Sequence, residues 1–163
     1  MKKIFPLFAV LLLVAIIFSS CIRDNCGGVS CQNEGVCVQG TCACLSGYEG
    51  DNCEKWWTDK FDGKWKVTDV NGSLTQTYDL NIVSSLKDTF LIFGLVDSID
   101  TDTVYCIRKS YYAFDILAKT MVDTTKKIES GSGTINKENN TVTGLYSFAF
   151  GDSVVATKFT WAR

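Results

Sequence analysis

The sequence predicts an all-β protein built from a small disulfide-rich module and an antiparallel β-barrel or sandwich. Three observations support this prediction. Six of the eight cysteines fall between residues 26 and 53, a density that is typical of small stapled domains. The residues that follow form short runs of alternating polar and apolar side chains, separated by turn-forming residues. After the first twenty residues, no long stretch has the periodicity of an amphipathic helix.

Residues 1–20 have the pattern of a secretory signal peptide. Met1-Lys2-Lys3 is basic, and the fifteen residues from Ile4 to Phe18 are apolar. That run is shorter than the roughly 20 apolar residues that span a bilayer, and it ends in small residues, so a cleaved leader is favoured over a transmembrane anchor.

The segment Phe18-Ser19-Ser20-Cys21 resembles the lipobox of bacterial lipoproteins, with Phe18 where that family usually has Leu. The resemblance implies that Cys21 is lipidated and that residues 21–25 form a tether. The alternative is an ordinary signal peptide followed by a coincidental cysteine. Cysteine numbers oppose that alternative, because the six clustered cysteines can already pair with one another.

Residues 26–54 are too few to bury a sufficient core, so a covalent or metal staple is expected. The gaps between the six cysteines are four, five, four, one and eight residues. Zinc sites favour Cys-x₂₋₄-Cys pairs, and a compartment reached by a leader is oxidising. Disulfides are therefore predicted, and spacing alone leaves fifteen ways to pair six cysteines.

The same cysteines carry a resemblance to EGF-like domains. Cys42 to Cys53 matches the family pattern Cys-x-Cys-x₂-Gly-aromatic-x-Gly-x₂-Cys, and Cys31 to Cys37 matches Cys-x-Asn-Gly-Gly-x-Cys with Glu34 in place of one glycine. The resemblance implies the bridges Cys26–Cys37, Cys31–Cys42 and Cys44–Cys53. A hairpin is expected across Gln39-Gly40. The module would act either as a spacer or as a protein-contact surface.

Residues 55–163 contain about eight short predicted strands, which suggests a barrel or a sandwich. Lys137-Glu138-Asn139-Asn140 is a good hairpin turn. The runs that predict strands are Lys64–Val70, Thr77–Val83, Phe90–Val96, Val104–Arg108, Tyr111–Leu117, Thr124–Ile128, Gly133–Asn136, Thr141–Phe150 and Val155–Trp161.

The run Phe61-Asp62-Gly63-Lys64-Trp65 resembles the Gly-x-Trp start of the first strand in lipocalin-like (calycin-like) barrels. Such barrels often carry a late arginine that packs over the tryptophan, and Arg163 is the candidate here. An EGF-like module followed by a small lipocalin-like domain resembles a lipoprotein arrangement of Bacteroidetes-type bacteria.

An eight-stranded barrel is either filled by side chains or holds one small ligand. Eight aromatic residues could line such a pocket, although general burial preferences favour simple core packing. Trp56 and Trp57, beside charged residues at the junction, are expected to fix one domain on the other, with a binding surface as the alternative. The eight aromatic candidates are Trp65, Tyr78, Phe90, Phe93, Tyr112, Phe114, Phe148 and Phe159.

Catalysis is not expected. The chain has no His, which removes every mechanism that needs imidazole. Cys106 is expected to be a small buried apolar residue, or else a thiol that pairs between chains. Arg108 shares its strand face, but nothing completes a catalytic triad. The acidic group Asp97, Asp100 and Asp102 fits a solvated loop better than a glycosidase or metal site.

No metal or cofactor is predicted either. The stretch Arg23-Asp24-Asn25 before the module offers one carboxylate, which is too few oxygen ligands for the calcium site of some EGF-like domains.

The predicted function is non-enzymatic binding or adhesion by a lipid-anchored protein of the cell envelope, at the outer membrane. Its membrane contact is the lipid on Cys21, and its partner would be a protein or a glycan. After loss of Lys2 and Lys3, 14 Lys and Arg remain against 18 Asp and Glu, which does not suit nucleic acid. The alternative function is a lipocalin-like carrier of a small hydrophobic ligand.

Overall fold

The computed structural model describes residues 25–96, 102–138 and 140–163. It confirms the all-β prediction, and no helix within these ranges is long and apolar enough to cross a membrane. Four short strands precede the barrel: β1 (Val36–Val38), β2 (Thr41–Ala43), β3 (Tyr48–Glu49) and β4 (Lys55–Trp56). The later strands are β5 (Gly63–Asn71), β6 (Leu74–Leu86), β7 (Thr89–Phe93), β8 (Thr103–Arg108), β9 (Ala113–Ile116), β10 (Lys119–Thr120), β11 (Lys126–Asn136), β12 (Thr141–Phe150) and β13 (Ser153–Ala162).

The larger sheet is a closed antiparallel barrel of eight strands, which decides between the barrel and the sandwich. Strands β11, β12, β13, β5, β6, β7, β8 and β9 follow one another around the barrel, and β9 pairs with β11 to close it. The short β10 pairs with β11 beyond the end of β9. Closure leaves none of the eight strands as an unpaired edge.

One strand was predicted wrongly as two. The sequence suggests separate strands at Thr124–Ile128 and Gly133–Asn136, because the stretch between them is polar and contains Gly131, and Gly133 begins the second run. Instead, β11 runs unbroken from Lys126 to Asn136, with a bulge between Ile128 and Ser130. A Cβ atom on Gly131 would lie 2.7 Å from the Tyr146 Cβ. These glycines therefore serve close packing inside the barrel.

Strand β7 is shorter than predicted, because it was expected to extend to Val96 but ends at Phe93. Gly94 and Val96 both have positive φ angles, of 85° and 79°. Such angles belong to turns and not to extended strands, so the chain leaves the sheet there.

The barrel interior is filled by aromatic and aliphatic side chains. Phe61 stacks on Phe90 with ring centroids 4.8 Å apart, and Phe114 stacks on Trp161 at 5.6 Å. Cys106 lies fully buried in the same core with a free thiol, and burial raises its pKa well above the usual value. It is therefore a small buried apolar residue, and it is not accessible to a second chain.

The module contains the bridges Cys26–Cys37, Cys31–Cys42 and Cys44–Cys53, which are the three pairs that the resemblance implies. Strands β1 and β2 form the expected hairpin across Gln39 and Gly40, both of which have positive φ. Strand β3 pairs with β4, so the pairing of the module extends to Trp56.

The two ends of the barrel differ in what covers them. The closed end is covered by a 3₁₀ turn (Asp59–Phe61) that precedes β5, and by the C-terminal Arg163. The Arg163 guanidinium carbon lies 4.0 Å from the Trp65 ring centroid, and Trp65 donates to the Phe61 carbonyl at 2.6 Å. This is the arginine-over-tryptophan contact that the lipocalin-like resemblance implies. The open end, where β5 turns into β6, is lined by Asp69, Tyr78 and Tyr146.

Candidate ligand site at the open end of the barrel

The open end contains a buried carboxylate held by two tyrosines. Asp69 follows Trp65 and Val67 at alternate positions of β5, so its side chain faces the barrel interior, and it is only 6% exposed. Tyr78 on β6 and Tyr146 on β12 donate hydrogen bonds to Asp69 Oδ2 at 2.8 and 2.6 Å. The Tyr78 oxygen accepts a hydrogen bond from the Val96 amide at 3.2 Å. The carboxylate is thereby fixed from two strands.

The second carboxylate oxygen is buried without a partner. Asp69 Oδ1 accepts no hydrogen bond from any described residue. Burial raises the pKa of Asp69, and the hydrogen bonds from Tyr146 and Tyr78 partly oppose that rise. Burial also raises the pKa of Tyr78 and of Tyr146, so both phenols remain protonated donors. The site therefore holds one acceptor oxygen that needs a donor.

A cavity of about 540 Å³ opens beside this carboxylate. Its size is within the range of small-molecule sites, which is about 300–1,000 Å³. Lys126 lies on its wall, with its ammonium 3.8 Å from the Asp123 carboxylate. Asp69 and Lys126 are the charged residues of the lining. The remaining lining residues are uncharged: Asn71, Leu74, Thr75, Gln76, Val96, Tyr146, Phe148 and Thr157. The cavity can bind a ligand that has both an apolar part and a hydrogen-bond donor.

The aromatic residues named from the sequence are divided between core and surface. Of the eight, Phe148 lines the cavity itself, while Tyr78 holds the carboxylate beside it. Phe93 is only partly buried, and Tyr112 is 43% exposed, so neither belongs to the core. The other four, Trp65, Phe90, Phe114 and Phe159, are buried in the core.

The acidic loop residues are only partly described. Asp97 and Asp100 lie outside the described residues, as does Cys21. Asp102 is buried and accepts hydrogen bonds from the Val122 amide at 2.9 and 3.2 Å. The interpretation as a solvated loop is therefore wrong for Asp102, which anchors the backbone. Across the described ranges, no three His, Cys, Asp or Glu residues are grouped to hold a metal ion.

Arg108 is used for packing and does not activate Cys106. Its guanidinium pairs with Asp88 and lies 4.5 Å from the Trp57 ring centroid. Trp57 also packs edge-on against Tyr111 and donates to the Tyr48 carbonyl at 2.7 Å. Trp57 thus joins the module to the closed end of the barrel.

Charged groups reinforce this junction. Glu49 of the module forms an ion pair with Lys60 at 3.3 Å and accepts a hydrogen bond from Tyr111. That hydrogen bond, with burial, raises the pKa of Tyr111 to about 12. The Lys60 ammonium lies 3.2 Å from the Tyr111 ring centroid. The described part of the module is therefore in contact with the closed end of the barrel.

Most of the ligand site was missed by the sequence reasoning, which named only Tyr78 and Phe148 among its residues. A signal for Asp69 was nevertheless present. Side chains at alternate positions of a strand face the same side, and Trp65, Val67 and Asp69 occupy three such positions in succession. A carboxylate therefore stands where an apolar core residue would be expected. Tyr146 lies on β12 and reaches Asp69 across β13, so its contact depends on the long-range pairing of β13 with β5 and could not be inferred locally.

Comparisons with known proteins establish no family. No family model matches the chain. A stretch of 98 residues, 55% of the chain, is 32% identical to human meprin A subunit beta, of which it covers 11%. The chain therefore spans about a tenth of the length of that relative.

Two solved structures have similar backbones. A redesigned beta barrel is 16% identical, with a TM-score of 0.48 over 65% of this chain and 93% of that one. A "putative outer membrane protein" from Bacteroides fragilis is 15% identical, with a TM-score of 0.42 over 66% of this chain and 52% of that one.

Proposed function

We propose that this chain is a lipid-anchored, non-enzymatic binding protein of the cell envelope, and that its ligand is a small molecule held at the open end of the barrel. The cavity beside Asp69 carries this proposal. A buried carboxylate oxygen without a partner is costly unless a donor reaches it. The cavity provides the space for that donor.

The nature of the cavity changes the expected ligand. A carrier of a wholly hydrophobic molecule would need a wide apolar interior. Here aromatic and aliphatic side chains fill the middle of the barrel, and the space lies at one end, beside Asp69, Asn71 and Thr157. The ligand therefore makes polar contacts, with an apolar part against Leu74, Val96 and Phe148.

The EGF-like module acts, in this proposal, as a spacer fixed to the closed end. The contacts of Trp57 and Glu49 with the barrel support this role. A diacylglycerol on Cys21 would tether the module side of the molecule to the membrane. The open end would then face away from the membrane, where a ligand can reach it.

A second candidate is recognition of a protein or glycan by the outer face of β6 to β8. Val83, Leu91 and Tyr105 lie side by side in register across these strands. Val83 and Tyr105 are exposed. A small apolar face of this kind is typical of protein contact surfaces.

The anchor is tested by expressing the full chain in a lipoprotein-processing bacterium with labelled palmitate. We expect label on the wild type, recovery in the detergent phase, and loss of both in Cys21→Ser. A soluble, unlabelled wild type would contradict the anchor.

The binding role is tested with the full chain carrying Cys21→Ser, incubated with a small-molecule extract and examined by native mass spectrometry. We expect adducts that disappear in Thr157→Phe, whose ring would occupy the cavity. Thr143→Phe, at an exposed position on β12, is the matched control and should keep them. Adducts on neither wild type nor control would contradict the small-molecule role.

A further inference from the structure

We infer that the cavity at the open end recognises an organic ammonium ion with a short apolar body. This inference rests on the proposed small-molecule role and adds the chemical class of the ligand. It is carried by the arrangement of groups around Asp69, which lies in the cavity lining, uses Oδ2 internally and leaves Oδ1 buried without a partner among the described residues.

The hydrogen bonding of Asp69 selects a donor. Oδ2 already accepts from Tyr78 and Tyr146, and these two phenols cannot turn to Oδ1 without giving up those bonds. Oδ1 has no partner in the part of the chain that the structure describes. A ligand that accepts but does not donate, such as a carboxylate or a ketone, cannot satisfy this oxygen.

The charge of Asp69 favours a cationic donor over a neutral one. No ion pair between described residues includes Asp69. A buried carboxylate gains more from a charged hydrogen-bond donor than from a hydroxyl group. Lys126, the cation on the cavity wall, is offset by Asp123 at 3.8 Å. An ammonium group bound in the cavity would therefore neutralise the negative charge of the Asp69 carboxylate, which folding has removed from water.

The remaining walls suit the rest of such a ligand. Tyr146 and Phe148 place aromatic side chains in the lining, and aromatic faces attract organic cations. Val96 and Leu74 add aliphatic contacts, while Thr75 and Gln76 lie toward the mouth. A short hydrocarbon body attached to the ammonium would fit this mixture.

The test uses three probes of matched shape and different charge: 2-phenylethylammonium, 2-phenylethanol and phenylacetate. Their dissociation constants are measured by calorimetry at pH 7 on the full chain with Cys21→Ser. We expect the ammonium probe to bind at least about ten-fold more tightly than the alcohol, because charged hydrogen bonds contribute more than neutral ones. Phenylacetate should bind most weakly.

The variants assign this preference to one carboxylate. Asp69→Asn keeps the shape and should reduce the preference for the ammonium probe to less than about three-fold, since the charge is gone. Asp79→Asn removes an exposed carboxylate on the neighbouring strand and should leave the preference unchanged. The inference is overturned if the ammonium probe binds no more tightly than the alcohol, which includes the case in which neither probe binds. A preference for the ammonium probe that survives Asp69→Asn also overturns it.

If Asp69→Asn does not fold, the inference is tested by nuclear magnetic resonance on the chain that keeps Asp69. Nuclear Overhauser contacts are expected between the methylene next to the ammonium group and the Tyr146 ring. Contacts only elsewhere on the protein overturn the inference. Adducts from the extract that are neutral or anionic, and that Thr157→Phe removes, would also overturn it while leaving the binding role intact. Absence of all adducts would contradict the binding role itself.

Discussion

The two ends of the barrel are made from the same strands but bury different chemistry. At the closed end, Trp65 and Phe61 are almost fully buried, and Arg163 lies over the Trp65 ring. At the open end, the same strand β5 buries Asp69 instead, beside a cavity. The closed end is therefore built for stability, whereas the open end leaves a polar group that a ligand can satisfy.

The largest effect should come from emptying the closed end. Trp65→Ala removes the ring that packs among Phe61, Trp161 and Arg163, and should lower the free energy of unfolding by about 3–5 kcal/mol. Urea unfolding followed by far-ultraviolet circular dichroism measures this loss. Thr157→Ala at the open end is the comparison, with an expected loss below about 1 kcal/mol because its side chain faces the cavity. Equal losses would erase the proposed difference between the ends.

The strand glycines should give the next largest effect. A Cβ at Gly144 would clash with the Ser132 carbonyl and the Phe159 ring. Because both belong to the packed wall, Gly144→Ala should cost about 1–3 kcal/mol. Gly27→Ala is the control, since nothing lies within 4 Å of its Cβ. Unchanged unfolding of Gly144→Ala would show that the wall there is loosely packed.

These glycines also explain how far the fold could be predicted from sequence. Alternation of apolar residues predicts most strands, and the cysteine pattern implies all three bridges. The continuity of β11 could not be predicted, because Gly131 and Gly133 interrupt the apolar alternation that identifies the other strands. Their role depends on Tyr146, which is paired with Gly131 across the β11–β12 hairpin, and on Phe114, which reaches Gly133 only after β9 pairs with β11.

The candidate site follows the same rule. Asp69 is recognisable as a carboxylate on a buried face of β5, so its position could have been inferred. Its partner Tyr78 lies on the hairpin neighbour β6, nine residues along the chain. Tyr146 could not be inferred, because it comes from β12, 77 residues away. Local patterns indicate which residues face inward, whereas the contacts between distant strands set the chemistry.

A smaller effect is expected for Arg163→Ala. The guanidinium lies over Trp65 at the protein surface, and such cation–π contacts contribute about 1 kcal/mol. We expect a loss of that size in urea unfolding. Lys158→Ala, at an exposed position on β13, the strand that precedes Arg163, should change little. A loss no greater than that of Lys158→Ala would mean that Arg163 does not stabilise the closed end.

The smallest effect is a pH dependence that belongs to the open end. Burial raises the pKa of Asp69 in the folded chain above the usual carboxyl pKa of 3.8, so above that pH the folded state binds more protons than the unfolded state. Stability should therefore fall as pH rises from that value through the higher folded pKa. The titratable groups that contact Asp69 are Tyr78 and Tyr146, and burial raises the pKa of both phenols, so they stay protonated in this range.

Asp69→Asn should flatten this part of the stability profile, while the exposed-site variant Asp79→Asn keeps it. Urea unfolding at intervals between pH 4 and pH 7 measures the slope. If the free energy of unfolding has the same slope against pH in wild type and in Asp69→Asn, burial does not raise the pKa of Asp69 in the folded chain.

The central claim, that the open end is the binding end, is tested most directly by titrating the ¹⁵N-labelled chain with 2-phenylethylammonium and following the amide shifts. The account predicts shifts concentrated around Asp69, Gln76, Tyr146 and Thr157, with little change at Trp65, Arg163 or the module. Shifts centred on the closed end or the module, or none at saturating concentration, would contradict it.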